Sequence, residues 1–270
     1  MLLSPLATLL LVTQSPKPAP LKPVKNVVAG RVVNASGKPL ANVTVGIYGT
    51  TNAGENTRFE AITNAAGLYR QRVPAGIYGA SAYYETTYRG DNFKFTLTPN
   101  DGITAKQHDS EPGVVKHFTW RISGLKPGQR AGQAGSHTEQ YKYYGNSVQV
   151  KMREEGFTSF KYPAGSSVEL VFVPNGPLID GTQGKPQKRT FAFPEETSAS
   201  SRYLYATDLP VGAYTATATF VRPDGTRSPL PLQVSGDLKN PMKAALDLPF
   251  HPTQFGDLQQ AYITLDIPKS

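Results

Sequence analysis

Short runs of alternating apolar and polar residues dominate the chain. Val43, Val45 and Ile47 share one phase of a two-residue period, and Val114, Phe118, Trp120 and Ile122 share another across VVKHFTWRI. Period two sends successive side chains to opposite faces of a strand. Comparable runs at 27–33, 57–63, 93–97, 147–153, 167–173, 190–193, 202–207, 213–221 and 230–234 predict further strands. A last run at 261–267 is expected to pair with an edge of one sheet or another. Turn signals stand between the runs: Asn64-Ala65-Ala66-Gly67, Pro174-Asn175-Gly176-Pro177 and Pro223-Asp224-Gly225-Thr226. Asn-Gly and Asp-Gly are strong turn pairs. No window holds a sustained 3.6-residue period, so the chain is predicted to be all-β.

One stretch occurs twice. LYRQRVPAGIYGASAYY, from Leu68 to Tyr84, returns as LYATDLPVGAYTATATF, from Leu204 to Phe220. Each copy predicts a strand, a Pro-x-Gly-x-Tyr corner and a second strand. Pro74 and Pro210 remove a ladder donor, Gly76 and Gly212 are expected to turn the backbone through positive φ, and Tyr78 and Tyr214 are expected to brace the corners. These six residues are structural candidates. Elsewhere the duplication is only suggested, by Gly176-Pro177-Leu178 against Gly37-Lys38-Pro39-Leu40.

At 270 residues the chain suits two domains, and 25 Gly and 23 Pro beside 14 Tyr and 12 Phe favour strands and turns. Two tandem β-sandwiches are therefore expected. Residues 1–15 begin with MLLSPLATLLLV, an apolar run too short to span a bilayer, and read as an export signal that places the mature chain outside the cytoplasm. No Lys or Arg precedes that run. Residues 16–25, PKPAPLKPVK, predict an extended linker. The first sandwich is then expected over 26–112, a connecting strand and Gly-rich mobile loop over 113–140, and the second sandwich over 141–270. No later segment is apolar enough to be a transmembrane helix.

The formal charge is +8, but the basic residues are dispersed, which argues against a nucleic-acid partner. Cysteine is absent, which removes disulfides, thiolate nucleophiles and Cys-based metal sites.

Gly30-Arg31-Val32-Val33, the run Gly37 to Val45, Thr63-Asn64-Ala65-Ala66-Gly67-Leu68-Tyr69 and Val73-Pro74-Ala75-Gly76-Ile77-Tyr78 together resemble a carboxypeptidase regulatory-like domain over residues 26–98. The resemblance implies a prealbumin-like or Ig-like sandwich, used as an accessory or adhesive module in exported bacterial proteins. Asn64 stands where that family commonly has Asp. Only the accessory module is matched, because the chain is too short to hold the metallocarboxypeptidase catalytic domain beside these strands.

Chemistry is sparse. His108, His117, His137 and His251 are scattered, so neither a metal, a cofactor nor a catalytic residue is expected. Intradiol dioxygenases share the prealbumin-like fold, but their paired histidines are missing. Tyr88-Arg89-Gly90-Asp91 superficially resembles the Y-R-G-S end of hydroxyisourate hydrolases, with Asp91 in place of Ser, and contains the adhesion tripeptide Arg-Gly-Asp. Asn34-Ala35-Ser36 and Asn42-Val43-Thr44 are formal glycosylation sequons. Tyr141, Lys142, Tyr143 and Tyr144 follow the Gly-rich loop, and rings beside polar groups can hold sugars or peptides. These four are the candidate ligand-binding residues, with domain-junction packing as the alternative. Trp120 is expected in a core.

The expected function is a non-catalytic, monomeric binding or scaffolding protein of the bacterial envelope, secreted or periplasmic, with a glycan or an envelope protein as partner. A dedicated carbohydrate-binding module and an enzyme with a site at the domain junction are the alternatives. Convergence of histidines with one another or with a carboxylate in a cleft would favour the enzyme, and coplanar exposed rings the carbohydrate-binding module.

Overall fold

The computed structural model describes residues 20–101, 106–132, 135–153, 161–193, 195, 197–198, 203–235, 241–253 and 260–266. The expected signal segment lies outside these residues. The fold is all-β. Its described helical structure is one 3₁₀ turn, His137–Tyr141.

The first half contains β1 (Val27–Asn34), β2 (Thr44–Thr51), β3 (Asn56–Ile62), β4 (Leu68–Arg72), β5 (Gly76–Tyr88) and β6 (Asp91–Leu97). Three short strands complete it: β7 (His108–Asp109), β8 (Val114–Val115) and β9 (Phe118–Trp120). The second half begins with β10 (Asn146–Arg153), β11 (Lys161–Tyr162), β12 (Ser166–Pro174), β13 (Gln187–Phe193) and β14 (Thr197–Ser198). It continues with β15 (Leu204–Leu209), β16 (Tyr214–Val221), β17 (Arg227–Leu230), β18 (Leu232–Val234), β19 (Leu246–Leu248) and β20 (Ala261–Asp266).

The two halves share one topology. In the first, the order β3-β2-β5-β6 faces a sheet of β4, β1 and the β8/β9 pair, with β7 added to β5. In the second, the order β13-β12-β16-β17 faces β15-β10-β20, with β19 added to β16. Even the parallel pairings recur, β1 with β8 and β9, and β10 with β20. Register recurs as well. Tyr78, Ala80 and Ala82 stand opposite Gly49, Ile47 and Val45, and Tyr214, Ala216 and Ala218 opposite Pro174, Phe172 and Leu170. The repeat seen in one hairpin thus extends through the whole sandwich, with β18 and the β11–β14 pair as additions.

Three expectations change. The run at 114–122 is two strands that extend the first sheet, since both pair with β1, and its apolar phase Val114, Phe118, Trp120 and Ile122 is buried as predicted. β20 is an interior strand between β10 and β18, not an edge addition. Neither corner glycine uses positive φ. A Cβ at Gly76 would stand 2.3 Å from the Thr50 carbonyl oxygen, and one at Gly212 would stand 2.6 Å from Leu178 Cδ2. Close approach of backbone, not turn handedness, excludes a side chain at Gly76, whereas at Gly212 the near atom is the movable end of Leu178.

Both corner tyrosines are 1% exposed. Tyr214 braces its corner by donating to the Pro210 carbonyl at 2.6 Å. The Tyr78 hydroxyl instead meets Thr57 Oγ1 on β3 at 3.4 Å. The buried apolar residues of both halves form one connected cluster.

Candidate functional site

The site lies where the sandwiches meet. β5 is 13 residues long and its counterpart β16 only 8, so the β5–β6 hairpin projects beyond its own sheet. Alternation keeps Tyr84, Thr86 and Tyr88 on the face that carries Phe93 and Phe95 of β6. Trp120 packs into this row, 4.7 Å edge-on from Tyr84 and 5.5 Å from Phe95.

The hairpin tip docks on the second sandwich. Tyr88 donates to the Pro177 carbonyl at 2.9 Å and accepts from the Ala213 amide at 3.1 Å. The Arg89 guanidinium donates to the Asn175 carbonyl. Asp91 pairs with His251 at 2.8 Å. Both charged ends of Arg89-Gly90-Asp91 are therefore engaged within the chain. A second seam joins the sandwiches through Val211 N–H to the Ile122 carbonyl and Gly124 N–H to Asp208 Oδ1 at 2.7 Å.

The Gly-rich loop is tied to this junction at its start. Lys126 N–H donates to the Lys142 carbonyl, and Tyr144 N–H to the Gly124 carbonyl. Gly132 N–H donates to Glu139. These bonds replace the free loop expected from composition, and they hold Tyr141, Tyr143 and Tyr144 along one wall of a cavity of about 420 Å³. Trp120, Phe95 and Lys94 of the first sandwich, together with Arg121, form the facing wall. Tyr141 is exposed at the rim, whereas Tyr143 and Tyr144 are half-buried. Burial raises the Tyr143 pKa, and the nearby carboxylates of Glu139 and Asp208 add to the rise.

Lys142 stands apart from the cavity wall. It pairs with the buried Glu139, whose carboxyl is held below its ordinary pKa by that bond and by the Gly132 amide. Lys126 takes the place on the wall that sequence reasoning gave to Lys142. Phe95, Arg121 and Gln260 are further wall residues that the sequence did not single out, since only the pairing of distant strands brings them together. Trp120 is both core and wall, at 4% exposure.

The four histidines sit in separate surroundings. His117 Nδ1 accepts from the Arg31 amide, His137 stacks edge-on with Tyr141 and Tyr205, and His108 lies on β7. Burial, then the charge of Arg31, lowers the His117 pKa. His251 and Asp91 do form a histidine–carboxylate pair, with side chains 58% and 41% exposed, away from the cavity wall. Among the described residues no group of three or more His, Asp or Glu could hold a metal ion. No described helix is long and apolar enough to cross a membrane.

No family model and no curated protein matches the chain. The resemblance over 26–98 therefore rests on its motifs and on the sandwich they build. Among solved structures, a chlorocatechol 1,2-dioxygenase from Pseudomonas putida is similar at 15% identity and TM-score 0.20, over 37% of this chain and 58% of that one. The Bacillus anthracis TIE protein is similar at 12% and 0.30, over 90% and 34%. The shaft pilin SpaA from Lactobacillus rhamnosus GG is similar at 11% and 0.24, over 92% and 100%. The chain thus spans less than two thirds of the first two. Likenesses this distant do not bear on function.

Proposed function

We propose that this chain is an exported, non-catalytic binding protein of the bacterial envelope, built of two sandwiches and holding a saccharide in the cavity between them. The observation that supports this reading most is the convergence of Tyr141, Tyr143 and Tyr144 with Trp120 and Phe95 around one cavity of about 420 Å³. Its size is that of a small-ligand site, and its rings alternate with Thr96, Thr119, Asn146 and Ser147, which can both donate and accept hydrogen bonds. Sugars present that mixture of C–H faces and hydroxyls. The Trp120 and Phe95 rings of the wall are tilted by 55° to one another and do not form a coplanar pair.

Export rests on the apolar start of the chain and on the family resemblance. The division into two domains rests on the repeated topology. A glycan array probed with the full-length mature protein tests the reading. Saccharide binding that is lost in Tyr143→Ala and Tyr144→Ala supports it, and an array without any bound saccharide overturns it. Mass spectrometry of native protein tests export, where a chain beginning between about Thr13 and Lys22 is expected from the short apolar run.

A further inference from the structure

The cavity wall is one-sided in charge. Lys94, Arg121 and Lys126 line it, and among the described residues no Asp or Glu does. Lys94 is committed to Glu85 at 3.1 Å on the exposed surface. The other two have no carboxylate partner among the described residues. Lys126 Nζ donates to the Tyr141 carbonyl at 3.1 Å, and Arg121 is exposed, with no hydrogen-bond or ion-pair partner among the described residues.

A half-buried ammonium with one neutral carbonyl as partner is poorly compensated, and burial lowers the Lys126 pKa accordingly. Elsewhere the buried Lys116 is matched by Asp101 and the half-buried Lys142 by Glu139, while the half-buried Arg189 donates to three backbone carbonyls. A surplus of positive charge, with no Asp or Glu among the described wall residues, is complementary to an anion.

Resting on the saccharide reading above, we infer that the junction cavity is selective for acidic saccharides, with the carboxylate of a uronic-acid unit set between Arg121 and Lys126 and the sugar ring against the tyrosine wall. A guanidinium presents two parallel donors that match a carboxylate, and Lys126 adds a point charge. The hydroxyl and amide side chains of the wall suit the remaining sugar oxygens, which favours a saccharide over an acidic peptide.

The test is calorimetric titration of the full-length mature protein with short uronate oligosaccharides and with their methyl esters, which keep the sugar and remove the charge. The acid form is expected to bind at least about tenfold more tightly, the scale of one charge-assisted hydrogen bond. The preference should shrink as salt is raised. Arg121→Ala should reduce binding of the acid by about tenfold and leave the ester unchanged. Equal affinity for acid and ester overturns this inference and leaves the saccharide reading standing. Binding of neither form also overturns this inference, and binding of an acidic peptide in preference to both overturns the two together. Arg121 is exposed on a folded scaffold, and unchanged thermal melting of the variant separates lost contact from lost fold.

Discussion

Tyr88 of the first sandwich and Ala213 of the second share a hydrogen bond of 3.1 Å, the phenolic oxygen accepting the amide hydrogen while it donates to Pro177. One side chain thus satisfies two backbone groups of the other half. Tyr88→Phe keeps the ring and removes both bonds, so a loss of about 1–3 kcal/mol is expected, because an unmet buried amide adds its desolvation cost to the lost bond. Urea denaturation followed by fluorescence of the single Trp120, which sits at this junction, measures it. A loss below the error of the measurement would mean that the hairpin tip does not couple the sandwiches.

The corner tyrosines look interchangeable in sequence and differ in the structure. Tyr214 donates to Pro210 at 2.6 Å, whereas the Tyr78 hydroxyl has a 3.4 Å contact with Thr57. Tyr214→Phe should therefore cost about 1 kcal/mol and Tyr78→Phe less than half of that. Truncation to Ala should cost about 3–5 kcal/mol at either position, since both rings are buried. Paired denaturation curves of the four variants decide the ranking.

The strands were legible because alternation and turn residues are local signals, and Val43, Val45 and Ile47 are fully buried on the face that their phase predicts. The duplication was legible in one hairpin only, because elsewhere it is kept as strand order and register, which tolerate exchange of almost any residue. β7, β11, β14 and β19 escaped, being two or three residues long with no room for a period. The tyrosine run was visible as a candidate, but its partners were not. Arg121, Lys126 and Gln260 become neighbours through β9, the loop after it and β20, contacts between distant parts of the chain that no spacing encodes. Lys142 pairs with Glu139, which is buried, and nothing in YKYY announces a buried acid.

Glu169 on β12 makes stability depend on acid pH. Its hydrogen bonds to Arg227 at 2.6 Å and Lys188 at 2.8 Å hold its pKa down at about 2. A folded pKa below the unfolded value of about 4.3 contributes stability that is complete above that value and disappears as pH falls toward 2. Both cations are 54% exposed, which limits the contribution to about 1–2 kcal/mol after screening. Glu169→Gln should be less stable than the parent by that amount at pH 7 and equal to it near pH 2. Denaturation midpoints taken across this range measure the convergence, and a constant gap would show that the loss comes from packing and not from charge.

Gly76 and Gly225 should respond to alanine in opposite measure, although only Gly225 has an unusual backbone. Gly225 has φ of +85° with nothing within 4 Å of a built Cβ, so Gly225→Ala meets only left-handed strain, about 1–2 kcal/mol. Gly76 has ordinary φ, but a Cβ there would lie 2.3 Å from the Thr50 carbonyl oxygen and 2.7 Å from Thr51 Cα. Those atoms belong to β2, the strand paired with β5 along its whole length, and they cannot turn aside as a side chain can. To relieve the overlap β5 must move away from β2 at the corner, which breaks the Gly76–Thr51 end of the ladder and the Ser110 contacts to the Gly76 backbone. Several hydrogen bonds at about 1 kcal/mol each, with loosened packing around the buried Tyr78, put the cost of Gly76→Ala at about 3 kcal/mol or more. Thermal melts of the two variants should show the larger shift for Gly76→Ala. The reverse order would mean that the overlap at Gly76 is relieved without opening the end of the β2–β5 ladder.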